Sequence, residues 1–216
     1  MKRYNDIRND IEAYVFDVIV PLYKNFDSAH REDHALTVIS QSMELLDRMP
    51  EGFAEVDREV LFVAAACHDL GLANGRERHH LDSGEIIRHD PRLKEWFSEE
   101  QIETMAQAAE DHRASGKSEP RSIYGMLVAE ADRVIDGETI IRRTLQFGIT
   151  NFPDLDREGH VKRAIEHLKE KYGRGGYMKL WIPWSDNAAR LSDFQDIIAD
   201  AAAVYTATAS VYDSLT

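Results

Sequence analysis

The sequence predicts an all-α protein, and three observations carry that prediction. Apolar residues recur at helical spacing along the chain, from Ile7, Ile11, Val15, Val18 and Ile19 to Tyr124, Val128, Ala131 and Ile135. No strand-rich region and no internal repeat interrupts the pattern. The stretch Leu61-Phe62-Val63-Ala64-Ala65-Ala66-Cys67 is an unbroken apolar run with three consecutive Ala and few β-branched residues, which is the composition of a buried helix with close neighbours. His68 and Asp69 follow it directly, then Leu70 and Gly71. Gly71 reads as a C-cap, which puts His68 and Asp69 in the last helical turn. The negative end of the helix dipole favours a cation there. An imidazole and a carboxylate are costly to bury unless something pairs with them, and a metal ion would do so.

The remaining elements follow in order. A first helix runs from about Tyr4 to Tyr23, with Pro21 at or near its end. A second runs from about Arg31 to Met49 and places His34, Val38, Gln41 and Leu45 on one face. Pro50-Glu51-Gly52 marks a turn, and the central helix begins near Val56. After a polar loop, a helix from about His79 aligns His80, Gly84 and Ile87 and stops at Asp90-Pro91. Ser98 and Gln101 form a capping-box signature, and the stripe Ile102, Met105, Ala106 and Ala109 leads onto His112. A His on the buried face of a helix end needs a partner. The next helix carries Asp132 one turn after Val128, while Glu130 reads as solvated. Helical patterning over Glu138 to Phe147 and Asp156 to Lys171 resembles scaffold. Trp181-Ile182-Pro183-Trp184 is a non-helical apolar segment suited to packing. The last helix runs from about Asn187 to Tyr212, with an Ala-rich tail that can pack within the chain or against a second copy in a homodimer.

Composition sets the outer bounds. The 216 residues are long enough for one domain with a sizeable core, and 43% apolar with 30% charged residues is a soluble globular composition. There is no apolar run long enough to span a bilayer, so no membrane partner is expected. The N-terminus leads into acidic residues rather than an apolar signal core, and a cytoplasmic location is expected. The single Cys excludes an internal disulfide and a Cys-based zinc cage. A net charge of −13 repels nucleic acid over most of the surface. A small anionic substrate remains compatible with it where basic residues gather locally.

Taken singly, His34, His68, Asp69, His80, His112 and Asp132 each have a plain structural explanation. As a set on converging helices they form a ligand field of imidazoles and carboxylates, suited to manganese, iron, zinc, cobalt or nickel and less to magnesium alone.

The order H…HD…H…H…D on an all-α chain resembles the HD superfamily of metal-dependent phosphohydrolases. The resemblance rests on Asp33-His34-Ala35-Leu36-Thr37-Val38, on Ala64 to Gly71, and on Ala129-Glu130-Ala131-Asp132. It implies an HD-domain helical bundle forming a single domain over 1–216, with a metal-binding core at about 27–136 and additional C-terminal helices at about 137–216. It also implies one or two divalent transition metals. The first would be held by His34, His68, Asp69 and Asp132, and the second by His80 and His112 with Asp69 bridging. His79 adjoins His80, so either could fill this position, and the spacing to Gly84 favours His80. The residues from His160 through Gly176 to Pro183 look similar to bacterial HD-domain proteins of unassigned substrate. The Gly-Tyr-Pro element of the cyclic-di-GMP phosphodiesterase branch is missing, as is the Glu-Asp pair of the alarmone hydrolases.

The resemblance implies a metal-activated water attacking a small phosphate ester, a nucleotide by default, with Asp69 and His68 at the centre of the chemistry. Outer phosphate contacts fall to nearby cations, of which Arg113 and Lys117 come first because they follow His112, and His30 is placed to line the pocket one turn before His34. The same ligand order also resembles mixed-valent diiron oxygenases of this fold. A third reading is a non-catalytic ligand-binding regulatory module.

Overall fold

In the computed structural model, helix α1 (Asn9–Tyr14) widens into a π-helical turn (Val15–Ile19), continues as α2 (Val20–Leu22) and tightens into a 3-10 turn (Tyr23–Asn25). Pro21 thus lies one residue before the α-helix ends, near the end of the element as expected. Proline lacks the N–H that an α-helix interior needs, and the widened turn sits just before it. The structure describes residues 4, 6–26, 30–113, 118–133 and 135–215.

The elements that follow are α3 (Glu32–Asp47), α4 (Arg58–Cys67), a 3-10 turn (Leu70–Asn74), α5 (His79–His89), α6 (Leu93–Trp96), α7 (Glu99–Asp111) and α8 (Ile123–Asp132). Among the described residues there is no strand, and no helix is long and apolar enough to cross a membrane. Local chemistry explains the boundaries. Asp57 caps α4 by accepting from the N–H groups of Glu59 and Val60. Ser98 and Gln101 make the reciprocal capping box expected of them, at 3.2 and 2.9 Å. Asp90 ends α5 in extended conformation, ahead of Pro91.

The chain divides into two compact units, residues 1–133 with 181–185, and residues 134–180 with 186–216. The sequence reading drew one domain with an extension from about 137. A short segment, 181–185, belongs to the first unit although it follows residues of the second. In that unit α4 is the central element, packed against α3, α7 and α8. All of Val60 to Cys67 is buried, because the small Ala side chains let neighbouring helices approach from every side. Tyr4, Phe16 and Phe62 form an aromatic cluster, the tightest pair having ring centroids 5.1 Å apart.

The returning segment is held from both ends. Ile182 joins the core, Trp184 Nε1 donates to the Leu45 carbonyl at 2.8 Å, and the Trp181 N–H donates to Glu130 Oε2 at 2.9 Å. Glu130 is therefore fully buried rather than solvated. Its neighbours in sequence gave no sign of this, because its partner lies 51 residues away.

The second unit comprises α9 (Gly137–Asn151), α10 (Arg157–Tyr172), α11 (Asn187–Ala199) and α12 (Ala201–Asp213), around Ile140, Leu145, Leu168, Phe194 and Ile198. The single last helix read from the sequence is two helices. Asp200 leaves helical geometry, and its carboxylate caps α12 through the N–H groups of Ala202 and Ala203. His160 is buried here and stacks on Tyr212 with ring centroids 5.7 Å apart, which is a structural role.

Candidate metal centre

Three helices of the first unit end at one point. His68 is the C-cap residue of α4, His112 that of α7, and Asp132 is the last residue of α8. Their unpaired carbonyl ends make the region favourable for a cation before any side chain is counted. His34 comes from the first turn of α3 and His79 opens α5.

Asp69 lies at the centre, 2% exposed, just beyond α4. One of its oxygens, Oδ2, is 3.6 Å from His34 Nε2 and 3.3 Å from His68 Nε2. The other, Oδ1, is 3.5 Å from His79 Nε2 and 3.3 Å from His112 Nε2. Asp132 Oδ1 completes the first group at 3.2 Å from His34 and 3.8 Å from His68. His34, His68 and Asp69 offer ligand atoms within 4.8 Å of one another, and so do Asp69, His79 and His112.

The tautomers fit an ion. His68 Nδ1 faces the Ala65 carbonyl at 2.8 Å, His79 Nδ1 that of Arg76 at 2.8 Å and His112 Nδ1 that of Ala109 at 2.5 Å. A carbonyl only accepts, so each Nδ1 carries the proton and donates, and each neutral ring turns a bare Nε2 lone pair inward. His79 and His112 then present two lone pairs to each other at 3.3 Å, as do His68 and His34 across 3.3 Å if His34 is neutral. Such pairs need a cation between them or a proton on one ring. The same pressure is visible in the pKa values. Burial disfavours charge on His34, but the hydrogen bonds it donates to the Asp132 and Asp69 carboxylates outweigh it and raise its pKa to about 9. Burial likewise opposes charge on His112, yet Asp69 raises it. Both carboxylates stay below the usual range despite burial, Asp69 through the imidazoles of His68, His112 and His34 around it and Asp132 through its bond with His34.

One sequence assignment is corrected. His79, not His80, faces the cluster. The helix begins at His79, whose ring is fixed by the Arg76 carbonyl, whereas His80 contributes to neither group and meets the site only through ring contact with His79, centroids 5.5 Å apart. Burial and the charge of Arg113 push the His80 pKa down to about 4, so the ring is neutral. His79→Ala is expected to lose about one ion per chain while His80→Ala keeps its full complement, measured by elemental analysis of the purified variants. The reverse result would restore His80.

A second correction concerns Gly71. The α-helix stops at Cys67, and Gly71 lies inside the Leu70–Asn74 turn rather than capping α4. Its N–H donates to Ser83 Oγ at 2.9 Å, tying the turn to α5.

His30 stands beside His34, ring centroids 5.5 Å apart. Arg113 donates to the Glu77 carbonyl at 2.8 Å, at the His79 side of the site. Lys117 lies outside the described residues.

Two features escaped the sequence reading. Tyr23 is fully buried, and its hydroxyl donates to the Ala66 carbonyl at 2.8 Å while accepting from the Asp69 N–H at 3.2 Å. It bridges the backbone where the chain leaves α4 and so fixes Asp69. Tyr23→Phe is expected to destabilise the fold by about 1–3 kcal/mol, the range for stranding a buried polar group. Chemical denaturation of wild type and variant measures this, and an unchanged midpoint would contradict it.

The other feature is an ion network between α5 and α7. Arg88 reaches Glu103 at 2.8 Å and Glu110 at 2.6 Å, and Arg121 reaches Glu110 at 2.5 Å. These are the helices that carry His79 and His112. A tyrosine in an amphipathic helix and charges on polar faces give no local signal of such roles.

Residues 31–135 match the family model for the HD domain. The chain carries an HD domain. The match takes in His34, the His68-Asp69 doublet, His79, His112 and Asp132, and it makes the HD unit a member of a superfamily of metal-dependent hydrolases. Searches of curated proteins and of solved structures found no match.

Proposed function

We propose that the protein is a metal-dependent phosphohydrolase acting on a small phosphate ester. The observation that carries the proposal is the position of Asp69, one oxygen toward each of two imidazole groups. His34, His68, Asp69 and Asp132 would hold one divalent ion, and Asp69, His79 and His112 a second. Ions bound there supply Lewis acidity toward a phosphoryl oxygen and make water a nucleophile near neutral pH.

The chain's own residues account for the rest. The three Nδ1 donations to backbone carbonyls hold the rings in the ligating tautomer, so none has to reorganise when the site is loaded. The imidazoles around them keep the carboxylates ionised despite burial. Arg113, held by the Glu77 carbonyl, puts positive charge on the His79 side, enough to help depress the His79 and His80 pKa values. An incoming dianion is drawn to that side although the protein as a whole is acidic. The resemblance makes a nucleotide the default substrate, and nothing among the ligands contradicts it.

The test is elemental analysis followed by a phosphate-release screen, run with and without oxygen. About two transition-metal ions per chain and oxygen-independent release that chelation abolishes would support the reading. Turnover that requires oxygen, or a chain that binds no metal, would overturn it.

A further inference from the structure

A pocket of about 520 Å³, within the range of small-molecule sites, has the Leu70–Asn74 turn that follows Asp69 as one of its walls. It is lined by Leu22, Phe26, Leu72 and Ile86, with Asn25 and Arg76 as its polar side chains. Three contacts tie its walls to the metal centre. The Leu70–Asn74 turn starts at the residue after Asp69 and supplies Leu70, Leu72 and Ala73 to the lining. Arg76 lines the pocket while its carbonyl holds His79 at 2.8 Å. The Phe26 ring packs on Tyr23, centroids 5.2 Å apart, and the Tyr23 hydroxyl holds the Asp69 N–H. Leu22, on the rim, is 49% exposed, a large aliphatic side chain left in water.

We propose that this pocket receives the organic part of the substrate, so that the protein selects phosphate esters of aryl or compact alkyl alcohols over those of polar alcohols. The assignment rests on the phosphohydrolase reading and narrows it. A nucleobase presents several donors and acceptors on its edge, and among the described residues of the lining only the side chains of Asn25 and Arg76 are polar. Arg76 is the group suited to a phosphate oxygen, which leaves one amide for the base. An apolar ring asks for no partners and gains from the Leu, Ile and Phe surfaces.

Anaerobic calorimetry on the metal-loaded protein tests this, with phenylphosphonate and methylphosphonate as non-hydrolysable probes. Wild type is expected to bind phenylphosphonate at least about tenfold more tightly, the effect of burying one ring. Ala73→Trp, which fills the pocket, should bring the two affinities within about twofold of each other, with metal content unaltered as the check on folding. Should that variant fail to fold, Leu22→Glu at the exposed rim decides in the same way. Equal affinities in wild type, or a preference that survives the pocket variants, would overturn the pocket assignment and leave the phosphoryl site standing. Binding of neither phosphonate would remove the phosphohydrolase reading itself, and the pocket assignment with it.

Discussion

Asp69→Ala is expected to abolish binding of both ions and to lower turnover by at least about a thousandfold, since several kcal/mol of transition-state stabilisation depend on the loaded site. No other side chain among the described residues faces both groups. Asp132 reaches only His34 and His68, and each imidazole serves one side. Without the carboxylate, four Nε2 atoms remain around an uncharged space, and two ions there would repel each other with only Asp132 to offset their charge. The helical fold should survive, because Asp69 lies beyond the end of α4 and the core is made by the residues before it. Circular dichroism and elemental analysis on the same preparation separate the two effects. Wild-type turnover in that variant, with its metal content verified, would sink the assignment.

What was legible in the sequence follows from where the information lies. Helices announced themselves through local chemistry. The Ser98-Gln101 capping box and the Asp90-Pro91 stop depend on residues within a turn of each other, and both stand where the sequence put them. The apolar run of α4 was equally plain, since a helix apolar on every side has nowhere to go but the centre. The break at Asp200 was not. An Asp inside an Ala-rich helical pattern reads as a solvated charge until its carboxylate is seen capping the helix that follows. Glu130 was misread for a related reason: its partner, the Trp181 N–H, comes from a segment that returns to the unit from far along the chain.

The site divides along the same line. His34, His68, Asp69, His112 and Asp132 were readable because each sits at a helix end or on the stripe of a helix whose phase was known. His79 was missed because a helix phase cannot be assigned at the first residue of a helix. The spacing to Gly84 then points to His80. The structure gives Gly84 another reason: a Cβ there would lie 2.6 Å from Glu110 Oε1, so the glycine makes room for the carboxylate that binds Arg88 and Arg121. Its spacing from the histidines says nothing about which one is a ligand.

Gly71→Ala is expected to be among the most damaging single substitutions outside the ligands. A Cβ there would stand 2.0 Å from the His79 carbonyl oxygen and 2.6 Å from the Ser83 backbone nitrogen. Both are backbone atoms at the start of α5, so no side chain can swing away, and the helix itself must move. That shift would break the Gly71 N–H bond to Ser83 Oγ. Overpacking of this kind costs about 3 kcal/mol, at the upper end of the usual range. Gly84→Ala makes the informative contrast, since its nearest neighbour is the end of the Glu110 side chain, which can rotate at the loss of an ion pair. The functional consequence is sharper than the stability change. The first residue of α5 is His79, so displacing that helix end removes an imidazole from one group and leaves His34, His68 and Asp132 in place. Gly71→Ala should therefore hold about one ion per chain where it folds at all, and its denaturation midpoint should fall well below that of Gly84→Ala. A variant within about 1 kcal/mol of wild type that still binds two ions would show that α5 is not set by its approach to Gly71.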